Sequence, residues 1–160
     1  MELKKLAALF YADNKSVKQA LDFDEVTGTW TEEKVRGHGV VQISINGLVF
    51  AIPVRSNIKH GASLILKRDL SPSAIKGMGL DYSKALLIRN PAHVSDEIFL
   101  LRDKPSARNL EGKELHVTKQ FSKYVERYIL AVRESKHMTL NSSEYRYTTL
   151  VNYHAELGLV

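Results

Sequence analysis

The clearest alternation of apolar and polar positions lies in "GHGVVQISINGLVFAIPV", residues 37–54. Two β-rich runs, Val40 to Ile45 and Leu48 to Val54, flank Asn46-Gly47, a pair that tolerates the positive φ angles of a type I′ turn. The pattern predicts an antiparallel hairpin. "ASLILKRDL" predicts a third strand, "LDYSKALLIRNP" a fourth stopped by Asn90-Pro91, and "HVSDEIFLL" a fifth, with "SPSAIKGMG" as a turn-rich connection. A short strand at Leu3 to Leu6 precedes a helical turn through Tyr11, and "NKSVKQALDFDEVTGTW" reads as a helix followed by a loop. The period then changes. Phe121, Tyr124, Val125, Tyr128, Ile129 and Val132 fall on one helix face, and Ser142-Ser143 would cap a second helix running to about Leu157. Strands first and helices last predict an α+β domain: a strongly curved antiparallel sheet with added helices and a C-terminal helical pair.

The chain has 160 residues, 44% of them hydrophobic, which suits one domain over residues 1–160 with its own core. No apolar run approaches the roughly 18 residues of a membrane span, so no membrane association is expected. The N-terminal "MELKKLAALFYADNKS" has too short an apolar stretch for a signal peptide, and the expected location is the cytoplasm. With no cysteine, disulfides, thiolate catalysis and Cys-based zinc sites are excluded. A formal charge of +5 favours polyanionic partners and is equally ordinary for solubility.

The candidate chemistry is concentrated in "FAIPVRSNIKHG", residues 50–61. Pro53 cannot donate to a sheet ladder, so the strand is expected to end there and to present a loop at the sheet rim. That loop would carry Arg55, a planar fork for phosphate; Ser56, a hydroxyl; Lys59, a point charge; and His60, an imidazole that can titrate near neutrality. Metal-free RNA cleavage needs these groups: a base for the ribose 2′-OH, cations for the phosphorus oxygens, and an acid for the departing 5′-oxygen. The same residue types also populate ordinary loops. Lys84, in "GLDYSKALLI", is either a second cation at that rim or an exposed strand residue. Lys119, Lys123 and Arg127 run along α-helical positions opposite the apolar stripe, as a phosphate-tracking row or a solvated face. Tyr145, Tyr147 and Tyr153 either stack bases or anchor a core. The histidines, at 38, 60, 93, 116, 137 and 154, include no pair at helical ligand spacing, and no glycine-rich phosphate loop is present. No metal and no cofactor are expected.

With "FAIPVRSNIKHG" followed by "GLDYSKALLI", the chain resembles the toxins of type III toxin–antitoxin systems, the ToxN, AbiQ, CptN and TenpN endoribonucleases. The likeness is best to the CptN and TenpN branches, covers residues 38–90, and has weaker support in "FSKYVERYI". It implies a curved antiparallel barrel related to the MazF and Kid toxins. It implies metal-independent cleavage of cellular mRNA to 2′,3′-cyclic phosphate and 5′-hydroxyl ends, in the setting of phage defence. It also implies a noncoding repeat RNA antitoxin that the toxin processes, and a cyclic protein–RNA hetero-oligomer. Where the ToxN branch has Thr-Ser and then lysine after a proline, this chain has Arg55, Ser56 and a later Lys59, so Lys59 and His60 compete for the proton-transfer role. On position alone, Tyr11 corresponds to the family's N-terminal aromatic near the site. A non-catalytic RNA-binding module, or an interaction protein with incidental charge, fits the same composition.

Overall fold

The computed structural model describes residues 1–31 and 39–160; His38 lies outside the described residues. The chain runs β1 (Lys4–Leu6), α1 (Ala8–Asp13), β2 (Phe23–Asp24), β3 (Thr29–Trp30), β4 (Val40–Ile45), β5 (Leu48–Ile58), β6 (Ser63–Arg68), β7 (Gly77–Asp81), β8 (Leu86–Leu87) and β9 (Val94–Ile98). It continues with α2 (Lys104–Leu110), α3 (Glu114–Arg133), α4 (His137–Leu140) and a 3₁₀ turn at Thr149–Asn152. The main sheet has the order β6-β7-β5-β4-β1-β9, with β8 also on β5, and every pairing is antiparallel. β2 and β3 form a separate small hairpin in the stretch read as a loop, and the helix expected before it does not form: residues 14–22 are turns and irregular chain.

The expected β4–β5 hairpin forms in the expected register, with Ile45 opposite Leu48 and Asn46 and Gly47 at φ 48° and 77°. β5 is apolar at nearly every position because both of its faces are covered. Phe50 and Ile52 join Val41, Ile43 and Ile45 of β4 on the face packed by α3, whereas Ala51 joins Val40 on the face packed by α1, Trp30 and Phe23. On the α3 side, Phe121 meets Phe50 edge-on at 5.2 Å, and Tyr124 stacks on Tyr145 at 4.5 Å. The apolar stripe read from the period supplies this contact: Phe121, Tyr124, Val125 and Tyr128 are all buried.

Three expectations are corrected. First, β5 does not end at Pro53. Val54 donates to Gly39 on the β4 side, so by alternation the N–H that Pro53 lacks would point to the opposite side. There the pairing breaks: β8 pairs with Phe50 and Ala51, and β7 takes over at Val54. The gap also explains why "LDYSKALLI" is not one strand. Its middle leaves the ladder as a 3₁₀ turn, Tyr82–Lys84, capped by Asp81, which accepts from the Ser83 N–H. Second, the sheet is open rather than barrel-like: among the described residues β6 and β9 are its two edges and do not pair with each other. α2 lies against β6, where Asn109 donates to the Leu66 carbonyl. Third, no long helix follows Ser142. Its hydroxyl donates back to Thr139 O, and the segment is held by tertiary bonds, from Tyr145 to Tyr124 O and from Thr149 to Ser83 O and Ala85 O. α2 was missed, although Asp103, with Pro105 in the first turn, is a legible start signal.

Gly79 of β7 sits opposite Arg55, and a Cβ there would stand 1.9 Å from the Leu64 carbonyl oxygen. Gly79→Ala should therefore destabilise the fold by at least the ~1–3 kcal/mol typical of overpacking. Gly61→Ala, whose nearest neighbour would be 3.9 Å away, should melt like the parent in the same thermal scan.

Candidate functional site

β5 continues past Pro53 into a bulge. Arg55 pairs with Gly79 and Ile58 with Gly77, so β5 advances three residues while β7 advances two. Asn57 takes up the excess at φ 59°, a conformation its short amide tolerates. The bulge re-aims the chain, and Lys59, His60 and Gly61 turn the corner into β6.

Asp81, fully buried at the end of β7, organises this corner. Arg55 Nη1 donates to Asp81 Oδ2 at 2.9 Å. Ser83 binds Asp81 Oδ1 through its N–H at 3.0 Å and its hydroxyl at 2.6 Å. His60 Nε2 lies 3.1 Å from Asp81 Oδ1 and 3.3 Å from Ser83 Oγ. His60 Nδ1 accepts the Ala62 N–H at 3.1 Å, which places the ring proton on Nε2, facing the carboxylate. Burial pushes the Asp81 carboxyl up, but the bonds from His60, Ser83 and Arg55 outweigh it and hold it below the usual carboxylate range.

Arg55, Asn57, Lys59 and His60 form one wall of a cleft of about 360 Å³; Asn141, Ser143, Arg146 and Tyr147 form the other. Three cations thus line it, Arg55, Lys59 and Arg146, with no carboxylate at its surface among the described residues. Lys59 is exposed and has no hydrogen-bond or ion-pair partner among the described residues. The Arg146 guanidinium lies over the Tyr147 ring at 5.3 Å. His60 is only 8% exposed, and both its ring nitrogens are already bonded within the protein.

The other sequence candidates fall elsewhere. Ser56 is exposed on β5 but opens on a different cavity, beside Leu21, Val54, Met78 and Phe99. Lys84 is neither a rim cation nor an exposed strand residue: its ammonium is buried and donates to Gln19 O and Tyr147 O, each at 2.8 Å. Burial lowers its pKa to about 8. Lys123 and Arg127 line a smaller groove next to the cleft, and Lys119 is exposed farther back on α3. Tyr11 belongs to the aromatic cluster of Phe10 and Trp30, where burial, aided by the charge of Asp22, pushes its phenol up to about 12. Tyr145 and Tyr153 are buried anchors, and Tyr147 reaches the cleft. Sequence reasoning gave no role at the site to Asp81, Asn141 or Arg146, and read Ser143 only as part of a helix cap. The one signal for Arg146 was a cation between two tyrosines in "SEYRYTT", which reads as helix but folds as turns.

No family model, no curated protein and no solved structure matches the chain. Among the described residues, no three His, Asp or Glu side chains come together as a metal-ion site.

Two titrations test the network. Because the Asp81 pKa is depressed in the fold, its contribution to stability is complete above the unfolded value of about 4 and is lost as pH falls through the folded value. The stability gap between the parent and Asp81→Asn, measured by urea melts, should hold steady from pH 7 to pH 5 and narrow below about pH 4. Lys84 gives a slope of the same sign in a higher pH window, because its pKa is also depressed in the fold. Its folded pKa of about 8 lies below the unfolded ~10.4, so the unfolded chain binds the extra proton between them and stability rises with pH there. Lys84→Met should abolish that rise between about pH 8 and pH 10.

Proposed function

We propose that the protein is a metal-independent endoribonuclease and that the cleft between the β5–β6 corner and residues 141–147 is its active site. The observation that carries this reading is the cleft itself, where Arg55, Lys59 and Arg146 line one space that has no carboxylate at its surface among the described residues. A trigonal-bipyramidal phosphorane gathers negative charge on its equatorial oxygens, and preorganised cations in a partly enclosed site stabilise it more than water does. Arg55 is held by Asp81 and Arg146 rests on Tyr147, so neither has to be ordered at the moment of reaction.

In this reading the ribose 2′-oxygen attacks the adjacent phosphorus as the bond to the 5′-oxygen breaks, leaving a 2′,3′-cyclic phosphate and a 5′-hydroxyl. Arg55 and Arg146 bind the non-bridging oxygens. Lys59, the cleft cation with no protein partner among the described residues, relays the proton lost by the 2′-OH to the departing 5′-oxygen. His60, with both nitrogens engaged, positions the corner through Asp81 rather than exchanging protons with RNA. Ser56 stands outside the cleft and has no part in the step.

The resemblance of "FAIPVRSNIKHG" and "GLDYSKALLI" to type III toxins supports the same chemistry and extends it. The substrates would be cellular mRNAs in the cytoplasm, and the inhibitor a noncoding repeat RNA bound in a cyclic assembly. Descent from a MazF-like barrel belongs to the proposal as well, with the sheet opened at β6 and β9.

Lys59→Ala should melt like the parent and cut RNA about 10²-fold more slowly or worse in single-turnover assays run in excess EDTA. His60→Ala should lose thermal stability together with rate. A parent protein that binds RNA steeply with falling salt yet never cuts it would replace this reading with that of a non-catalytic RNA-binding module.

A further inference from the structure

Residues next in sequence to those of both cleft walls line a second space. Gly61 and Ala62 follow Lys59 and His60 on one wall, and Glu144 and Tyr145 lie within the 141–147 segment on the other. With Tyr82, Gln120, Lys123, Tyr124 and Arg127 they line a groove of about 210 Å³. A nucleic-acid strand lying between the walls would have one nucleotide in the cleft and its neighbour in this groove.

The groove differs from the cleft in a chemical respect: among the described residues, Glu144 is the one carboxylate that lines either space. A carboxylate repels phosphate, so what it offers an RNA strand is acceptors for the N–H groups of a base or the O–H of a ribose. Glu144 Oε2 is ion-paired with Arg127 Nη1 at 4.0 Å, too long for a hydrogen bond, and the carboxylate accepts no hydrogen bond among the described residues. Gln120 supplies the complement. Burial keeps the Tyr82 phenol protonated, and its O–H donates to Gln120 Oε1 at 2.6 Å, which fixes the amide and leaves its NH₂ without a partner among the described residues.

We propose that this groove is a guanine-reading subsite for the nucleotide next to the scissile phosphate, an inference that rests on the endoribonuclease reading. Guanine alone among the bases presents two adjacent donors, N1–H and N2–H₂, that a carboxylate can accept together, beside an O6 acceptor for an amide N–H. Adenine and cytosine set one amino group beside a bare ring nitrogen, whose lone pair faces the carboxylate unfavourably. Uracil sets one N–H between two carbonyls. Lys123 and Arg127, both exposed at the groove, hold the flanking phosphate. Arg127 lies 5.6 Å over the Tyr145 ring, which keeps it at the rim.

The experiment maps the 5′-hydroxyl ends that the parent and Glu144→Gln produce from a random-sequence RNA pool. In parallel, anisotropy measures binding of a hexanucleotide carrying guanine or inosine at the subsite position. The parent should require guanine at one position beside the cut, and Glu144→Gln should weaken that preference about 10-fold or more. Inosine, which lacks the N2 amino group, should weaken binding to the parent but hardly affect Glu144→Gln. Gly61→Leu, placed where a Cβ meets nothing nearer than 3.9 Å, fills the groove by bulk and should give the same loss should Glu144→Gln fold poorly. Cleavage with no guanine preference, or with a preference that Glu144→Gln keeps, overturns the subsite. Guanine-selective binding without cleavage overturns the endoribonuclease reading and leaves the subsite standing. No RNA binding at all overturns both.

Discussion

Everything near the cleft depends on a single buried carboxylate. Asp81 has no exposed surface, and an unpaired charge there would cost several kcal/mol. The fold meets that cost with partners drawn from three places: Arg55 on β5, His60 at the β5–β6 corner, and Ser83 in the turn that Asp81 itself caps. Removing any one partner leaves the others to compensate for charge that water cannot reach. The geometry of the cleft wall is in this sense a by-product of satisfying Asp81.

The opposite wall is fastened to the same turn. Lys84 donates to Tyr147 O, and Thr149 donates to Ser83 O and Ala85 O. The five residues from 81 to 85 therefore fix both sides of the cleft, one through the Asp81 and Ser83 side chains and the other through the Lys84 ammonium and the Ser83 and Ala85 carbonyls. That turn exists because Pro53 offers no N–H to the strand that would otherwise continue along β5. One imino acid in the middle of a strand thus creates the gap, the gap makes room for the turn, and the turn sets the distance between the walls.

This chain of causes explains which parts of the molecule could be read in advance. The β4–β5 hairpin and the α3 stripe were legible because each follows a local period, and the cluster Arg55, Lys59 and His60 was legible by composition alone. Pro53 was seen but read as a terminus, since the sequence does not say which side of the strand its missing donor faces. Ser56 was grouped with its neighbours because spacing cannot tell which way a bulged strand turns each side chain. Lys84 looked like a surface cation because nothing local announces two carbonyls contributed from residues 19 and 147. Arg146 was invisible for a similar reason: "SSEYRYTTL" suits a helix locally, and long-range hydroxyl and phenol bonds override it.

The open sheet has a bearing on how the protein behaves when crowded. An exposed strand edge is a template on which another chain can extend the sheet. At β6 that template is blunted by α2, with Asn109 occupying the Leu66 carbonyl and Lys67 facing Asp103. At β9 the exposed residues Asp96 and Glu97 put a carboxylate on each face of the edge strand, with Glu97 paired to Lys5 of β1. An incoming strand would have to desolvate those carboxylates before gaining a single ladder bond. The protein therefore carries its own protection against fibrous self-association, even though its sheet never closes on itself.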